Sequence, residues 1–286
     1  MFAAAVVAVA LLGACGGGSN GDDAPAASDD PGAAHVHGLG VDPGDGILYA
    51  ATHHGVFKIP TAGTAVRIAD RFQDTMGFTI AEAGRFLASG HPDMQDEELR
   101  APGKPPLLGL IESRDGAQTW VSLSLLGDVD FHALVAAHGR VYGADATGGR
   151  FMVSADGRQW ETRSQQPLLS FAVSLQSPEV VVASTGEGVL ASSDGGRTWS
   201  PQAGAPGVAW LAWGPSGLWG VTASGELYRS ADGATWTTAG PVPGDEPEAL
   251  LADGDDIYVA TSNGIHQSAD GGRTWRLRYR ERATTG

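Results

Sequence analysis

The chain has 286 residues, of which 18 are Lys or Arg and 33 are Asp or Glu, so its net charge is −15. This acidic balance excludes a protein that wraps nucleic acid, because phosphate backbones are bound by basic surfaces. A hydrophobic share of 42% excludes a disordered chain, and 42 glycines with only 18% charged residues favour short strands joined by tight turns over a helical bundle.

The first segment in chain order is apolar. Residues 2–12 carry no charge; they are too few to cross a bilayer, which takes ~20 residues, but they suit the core of a signal peptide. They lead into Leu12-Gly13-Ala14-Cys15, which contains the single cysteine of the chain. A lone cysteine excludes an internal disulfide.

The run that ends at Cys15 resembles the lipobox of bacterial lipoproteins. The resemblance implies a signal peptide over residues 1–14, lipid on Cys15, and attachment to the extracytoplasmic face of the cell membrane. A plain secretory signal with an incidental cysteine is the alternative. Residues 16–34 hold four Asp and no large apolar side chain, so residues 15–34 are predicted to be the lipidated cysteine and a flexible tether.

A repeat organises the rest of the chain. Five segments share the pattern Ser-x-Asp-Gly followed by Trp: residues 113–120, 154–160, 192–199, 230–236 and 268–275. Their aspartates are Asp115, Asp156, Asp194, Asp232 and Asp270, which lie 41, 38, 38 and 38 residues apart. In each turn the carboxylate is expected to accept backbone N–H groups, the glycine to permit a positive φ, and the Trp to pack as an apolar plug. A structural role for these turns is expected.

The unit around each turn reads as four short strands. In the last repeat they are predicted at 249–252, 257–261, 264–268 and 274–279, and the first repeat fits at 37–41, 47–52 and 56–59 but lacks the turn motif at 61–63. Six such units fill residues 35–282 and leave 283–286 as a C-terminal tail. The sequence therefore predicts an all-β fold, a six-bladed β-propeller with four-stranded blades and Asp-box turns, and no strand-swapped closure.

The repeats also align the innermost strands, which line the central channel of a propeller. The aligned residues are His37, Met76, His132, Ser170, Ala209 and Glu248. We expect these six positions to form one ring near a channel mouth.

Six of the eight histidines map to that mouth, all of them in blades one to three. A purely stabilising role predicts scatter around the ring, so the asymmetry favours a site, although hydrogen-bonded packing residues at a wet mouth are the alternative. Imidazole is a common ligand of zinc and copper, and a methionine favours copper. The candidate metal- or ligand-binding residues are His35, His37, His53, His54, His91, Asp93, Asp130, His132 and Met76. An insertion at 92–106 is predicted on the same face, as a lid or as a solvated loop.

The Asp-box turns and the blade period resemble the BNR/Asp-box repeat superfamily and propellers of the photosystem-assembly-factor type. The runs HVHGLGVDP, THHG, SGHPD and DFHAL are similar to bacterial secreted proteins described as glycosylhydrolase-like or exo-sialidase. The resemblance to sialidases implies an arginine triad, but no arginine occupies a ring position. Sialidase activity is therefore not expected.

Three functions stay open at this point. The first is a lipid-anchored, extracytoplasmic binding protein, a monomer that takes a divalent metal, a small polar ligand or a glycan, and not nucleic acid. The second is a glycoside hydrolase, which needs two carboxylates; the candidates are Asp93, Asp130, Asp145 and Glu248. The third is an assembly or scaffold factor at the membrane surface.

Overall fold

A computed structural model of the chain describes residues 32–281. The predicted signal peptide, the lipidated Cys15, most of the tether and the C-terminal tail lie outside the described residues. Residues 32–281 contain no helix that is long and apolar enough to span a membrane.

Residues 32–281 form 24 strands in six antiparallel sheets, each built from four consecutive strands. Blade one is β1 (Val36–Val41), β2 (Leu48–Thr52), β3 (Gly55–Ile59) and β4 (Val66–Arg67). Blade two is β5 (Asp74–Glu82), β6 (Arg85–His91), β7 (Leu110–Ser113) and β8 (Val121–Ser124). Blade three is β9 (Phe131–Ala137), β10 (Arg140–Asp145), β11 (Arg150–Ser154) and β12 (Trp160–Gln165). Blade four is β13 (Ser170–Val173), β14 (Val181–Thr185), β15 (Gly188–Ser192) and β16 (Ser200–Pro201). Blade five is β17 (Val208–Gly214), β18 (Gly217–Thr222), β19 (Glu226–Ser230) and β20 (Trp236–Pro241). Blade six is β21 (Pro247–Asp253), β22 (Asp256–Thr261), β23 (Gly264–Ser268) and β24 (Arg276–Arg280).

The first strands of the six blades surround a central channel of about 680 Å³. Each first strand contacts the first strands of the two neighbouring blades, and β1 lies against β21, so the ring is closed. The prediction of an all-β, six-bladed propeller with four-stranded blades is confirmed.

The ring closes by packing between blades one and six and without a shared strand among the described residues. Val36 and Phe57 of blade one belong to the same buried cluster as Tyr258 and Ile265 of blade six. Ala33, which the sequence places in the tether, is fully buried in that cluster. Its N–H lies 3.4 Å from the Tyr279 hydroxyl. Apolar burial across this seam supplies the closure that a swapped strand provides elsewhere.

In blades two to six the Asp-box turns join third and fourth strands, and their Trp side chains pack against the preceding blade. In the fourth blade, Asp194 accepts the Thr198 N–H at 2.9 Å and the Thr198 hydroxyl at 2.7 Å. The Trp199 indole N–H donates to Ser164 Oγ of blade three at 2.9 Å, and its ring lies 5.4 Å from that of Phe151. Trp199 is half-buried and hydrogen-bonded, so it is an interblade tie more than the enclosed apolar plug that the sequence suggests.

The boxes make the stability of the propeller sensitive to acid. Hydrogen bonds from the Thr274 hydroxyl and backbone N–H lower the pKa of Asp270 from 3.8 to about 2. A depressed carboxyl pKa stabilises the fold above the unfolded pKa, and this stabilisation is lost as pH falls through the folded pKa. We expect the difference in unfolding free energy between wild type and Asp270→Asn to be full above about pH 4 and to shrink towards pH 2. Urea unfolding across that range measures it, and a pH-independent difference contradicts the expectation.

The ring positions have a structural property that the sequence does not show. His37, Met76, His132, Ala209 and Glu248 each fall at a shift in the pairing of a first strand with its neighbour, which makes them β-bulge residues. Ser170 is the exception, since it pairs directly with Ser184. A bulge leaves its extra residue unpaired and re-aims its side chain. His37, Met76, His132 and Glu248 accordingly line the channel.

Candidate metal centre at the channel mouth

Two first strands and one turn bring imidazoles and a carboxylate together where blades one and two meet. His37 is the bulge residue of β1, His53 lies in the turn between β2 and β3, and Asp74 is the first residue of β5. His37 Nε2 lies 3.2 Å from His53 Nδ1. Asp74 Oδ1 lies 2.9 Å from His53 Nδ1 and 3.6 Å from His37 Nε2. The three polar atoms therefore form a compact triangle.

This triangle has the dimensions of one face of a metal coordination sphere. In a tetrahedral site with bonds of ~2.0–2.1 Å, neighbouring ligand atoms lie ~3.3 Å apart. The observed separations run from 2.9 to 3.6 Å. A single proton on His53 Nδ1 satisfies only one of its two contacts, whereas one cation at the centre attracts all three atoms.

A third imidazole borders the same space. The ligand nitrogens of His35, His37 and His53 lie within 4.8 Å of one another. His35 Nδ1 contacts Glu248 Oε1 at 3.0 Å, and the other Glu248 oxygen accepts the Val36 N–H at 2.9 Å. Carboxylates commonly orient a metal-bound histidine through its second nitrogen. Glu248 of blade six thus holds the His35 ring beside the triangle.

A second group of imidazoles continues the cluster into blades two and three. His91, the last residue of β6, lies between two carboxylates, with Nδ1 3.4 Å from Asp74 Oδ2 and Nε2 3.5 Å from Asp130 Oδ2. Asp130 Oδ2 also lies 2.9 Å from His132 Nε2. Asp74 therefore faces imidazoles on both of its sides.

The environment shifts the pKa values of two of these imidazoles in opposite directions. Burial, together with the neighbouring His53 and His35, lowers the pKa of His37 from 6.5 to about 3, so His37 is neutral at physiological pH. The hydrogen bond to Asp130 raises the pKa of His132. A metal ligand must be a neutral imidazole, which His37 supplies without the loss of a proton.

Two of the predicted metal-binding residues lie apart from the cluster. The His54 ring lies 6.5 Å from the His53 ring. Asp93 is bound to loop backbone, accepting the Gln95 N–H at 3.0 Å and the Phe72 N–H at 3.3 Å. Met76 is half-buried and lines the channel at its ring position.

The four carboxylates that could serve a glycosidase are each held by another group. Asp145 is buried and pairs with Arg150 at 2.7 Å. Asp93 is bonded to loop backbone as described above, and Asp130 and Glu248 are each held by a histidine. In a glycosidase one carboxyl must protonate the leaving oxygen and the other must meet the sugar or a water. The arrangement favours imidazole orientation over that role.

The insertion packs onto the propeller. Leu99 of the insertion is buried in the cluster shared by blades one and two, as is Leu108 just after the insertion, and Asp96 pairs with Arg71 at 2.9 Å. Segments pinned by buried side chains move less than exposed loops. The contacts therefore favour a fixed wall of this face over a lid.

Asp74 is the residue that sequence reasoning missed. It lies two positions before Met76, as His35 lies two before His37 and Asp130 two before His132. Extending the repeat alignment to the position two residues before the ring position would have identified Asp74 as a candidate. The alternation of side chains along a strand does not explain why His35 lies near His37 or Asp130 near His132. His35 and Asp130 precede their strands, and His35 has a φ of 53°.

Comparison with protein-family models and with the curated proteins found no match. Among solved structures the chain is similar to a gluconolactonase from Xanthomonas campestris, with 16% identity, a TM-score of 0.62, and 86% of each chain covered. It is also similar to YCF48 bound to a D1 peptide, with 16% identity, a TM-score of 0.53, and 86% of this chain and 82% of that one covered.

A third likeness is to a GH74 xyloglucanase from Xanthomonas campestris, with 18% identity and a TM-score of 0.55. The match covers 86% of this chain but spans only 45% of the xyloglucanase. These neighbours are propellers that include enzymes and a peptide-bound protein. At such identities the likeness shows the fold alone.

Proposed function

We propose that this protein is a lipid-anchored, extracytoplasmic binding propeller that holds a divalent transition-metal ion, Cu²⁺ or Zn²⁺, at the mouth of its channel. The observation that carries the proposal is the convergence of His37 Nε2, His53 Nδ1 and Asp74 Oδ1, with separations of 2.9 to 3.6 Å. His35 supplies a fourth ligand atom, the third nitrogen of the set, and is held in place by Glu248.

The donor set supports this class of metal. Imidazole nitrogens suit zinc and copper, whereas magnesium and calcium prefer oxygen ligands. A set of three neutral imidazoles and one carboxylate leaves one positive charge on a bound divalent ion. The nearby carboxylates of Glu248 and Asp130 offset that charge.

Loss of two ligands should abolish this metal site. Removing an outer-shell partner already weakens metal sites by ~10–100-fold, so His37→Ala with His53→Ala should weaken the affinity for Cu²⁺ and Zn²⁺ by more than ~100-fold. Calorimetric titration of the full chain, made without a histidine tag and carrying Cys15→Ser, measures this near neutral pH.

The matched control for that experiment is His54→Ala, which removes an adjacent imidazole outside the cluster. The control should bind metal as the wild type does, and thermal melting should show that the double variant is folded. Equal affinity in the double variant and the wild type contradicts the metal site.

The anchor part of the proposal depends on Cys15. Two or more acyl chains give stable membrane attachment, whereas one chain binds only marginally. We expect Cys15→Ser to move the protein from the membrane fraction of its host to the soluble fraction, as measured by fractionation and immunoblotting. Ser19→Ala in the predicted tether is a matched control that should stay with the membrane. Equal retention of wild type and Cys15→Ser argues against a lipid anchor.

A further inference from the structure

The two oxygens of Asp74 face different blades. Oδ1 lies toward His53 and His37 of blade one, at 2.9 and 3.6 Å, and Oδ2 lies 3.4 Å from His91 Nδ1 of blade two. A carboxylate whose oxygens point to two separate groups of nitrogen ligands has the disposition of a bridging ligand. In two-metal sites the ions lie ~3.5–4 Å apart.

His91 is poised as a ligand on the Oδ2 side. Its contacts with Asp74 and Asp130, at 3.4 and 3.5 Å, are longer than the ~2.7–2.9 Å of a charge-assisted hydrogen bond. Its distance from Asp74 Oδ2 instead matches the ~3.3 Å between neighbouring ligands of one tetrahedral ion. Asp130, on the far side of the ring, would then accept the Nε2–H and orient the imidazole.

The negative charge of Asp74 and Asp130 also favours a bound cation. The Asp130 side chain is 7% exposed, and its Oδ1 has no hydrogen-bond partner among the described residues. Within residues 32–281, the ion pairs of Asp74 and Asp130 are all with imidazoles. His132 pairs with the other oxygen of Asp130, but a buried polar atom without a partner is still costly. A divalent ion beside Asp74 adds positive charge next to these two carboxylates.

We propose that a second divalent ion binds between Asp74 Oδ2 and His91 Nδ1, so that Asp74 bridges two metal ions. This inference rests on the proposed function, since the first ion occupies the His37–His53 side. The His91 and His132 side chains are 41% and 39% exposed, and only two protein ligands hold the second ion. Its open positions therefore take an oxygen ligand from solution, and an oxyanion such as phosphate has two oxygens to span the pair.

The test uses Cu²⁺ as the probe, on the full chain carrying Cys15→Ser. Calorimetry should show two ions per wild-type chain and one in His91→Ala, while the control His54→Ala keeps two. Two bridged Cu²⁺ ions couple magnetically, so the paramagnetic resonance signal of loaded wild type should fall below that of an equal amount of free Cu²⁺. In His91→Ala the signal should return to that of one isolated ion per chain.

The outcomes separate the two proposals. One ion in both wild type and His91→Ala overturns the second site and leaves the proposed function standing. Two ions in both proteins, or two ions without magnetic coupling in wild type, also overturns the bridged pair. No bound ion in wild type overturns the proposed function itself. Inorganic phosphate should change the spectrum of loaded wild type but not that of His91→Ala, and an equal change in both overturns the oxyanion assignment.

Discussion

Replacing Phe151 by alanine will lower the free energy of unfolding by ~3–5 kcal/mol, as is usual for the loss of a fully buried aromatic ring. Phe151 is fully buried and lies between blades three and four. Its ring is 5.2 Å from Phe171 and 5.4 Å from Trp199, edge to face with both. Alanine leaves a cavity at this seam that the surrounding strands fill only in part.

Urea unfolding and thermal melting measure this effect. At ~2–4 °C per kcal/mol for a domain of this size, the melting temperature should fall by at least ~6 °C. Leu277→Ala, which removes a side chain that is 41% exposed, is the matched control and should stay within ~0.5 kcal/mol of wild type. Metal affinity of the folded variant should not change, since the proposed metal ligands lie in blades one and two. A loss below ~1 kcal/mol would show that the seam repacks.

Replacing Gly77 by alanine will weaken metal binding by ~10–100-fold, the effect of disturbing the support of a metal site, and will destabilise the fold by ~1–3 kcal/mol through overpacking. A Cβ at Gly77 would collide with the carbonyl oxygen of Phe131 and press on Leu134. The first strands of blades two and three must then move apart. That shift separates Asp74 and His91 from Asp130 and His132.

Gly207→Ala is the matched control, because a Cβ at Gly207 meets no atom within 4 Å. It should change neither quantity. Calorimetric titration with Cu²⁺ gives the affinities, and urea unfolding gives the stabilities. Wild-type affinity in a folded Gly77→Ala protein would mean that the relative position of blades two and three does not matter for the site.

The propeller itself could be predicted because its signal is repeated. The Ser-x-Asp-Gly turn and its Trp recur every 38 to 41 residues, and each copy predicts the same turn and flanking strands. The strand predicted at 264–268 matches β23 residue for residue, and the one at 37–41 begins one residue late. Alignment of the six repeats also identified the six ring positions in the first strands.

The site could be predicted only in part, since its contacts cross between copies. Glu248 and His35 are 213 residues apart in the chain and meet only because the ring closes. The ion pair of Asp145 could have been predicted from the sequence, because Arg150 is its direct neighbour across the β10–β11 hairpin. The bulges depend on how a first strand pairs with its neighbour, which no residue type at the ring position reveals.

The seam between blades one and six has a consequence for the connectivity of the chain. Ala33 lies against Tyr279 of the last strand, and each sheet is built from one continuous stretch of sequence. A circular permutant that links residue 281 to residue 32 and opens the chain between Gln202 and Gly207 would therefore cut no sheet. Domains with adjacent termini tolerate such rearrangement. The blade at which the chain begins is thus separable from the order of the blades around the channel.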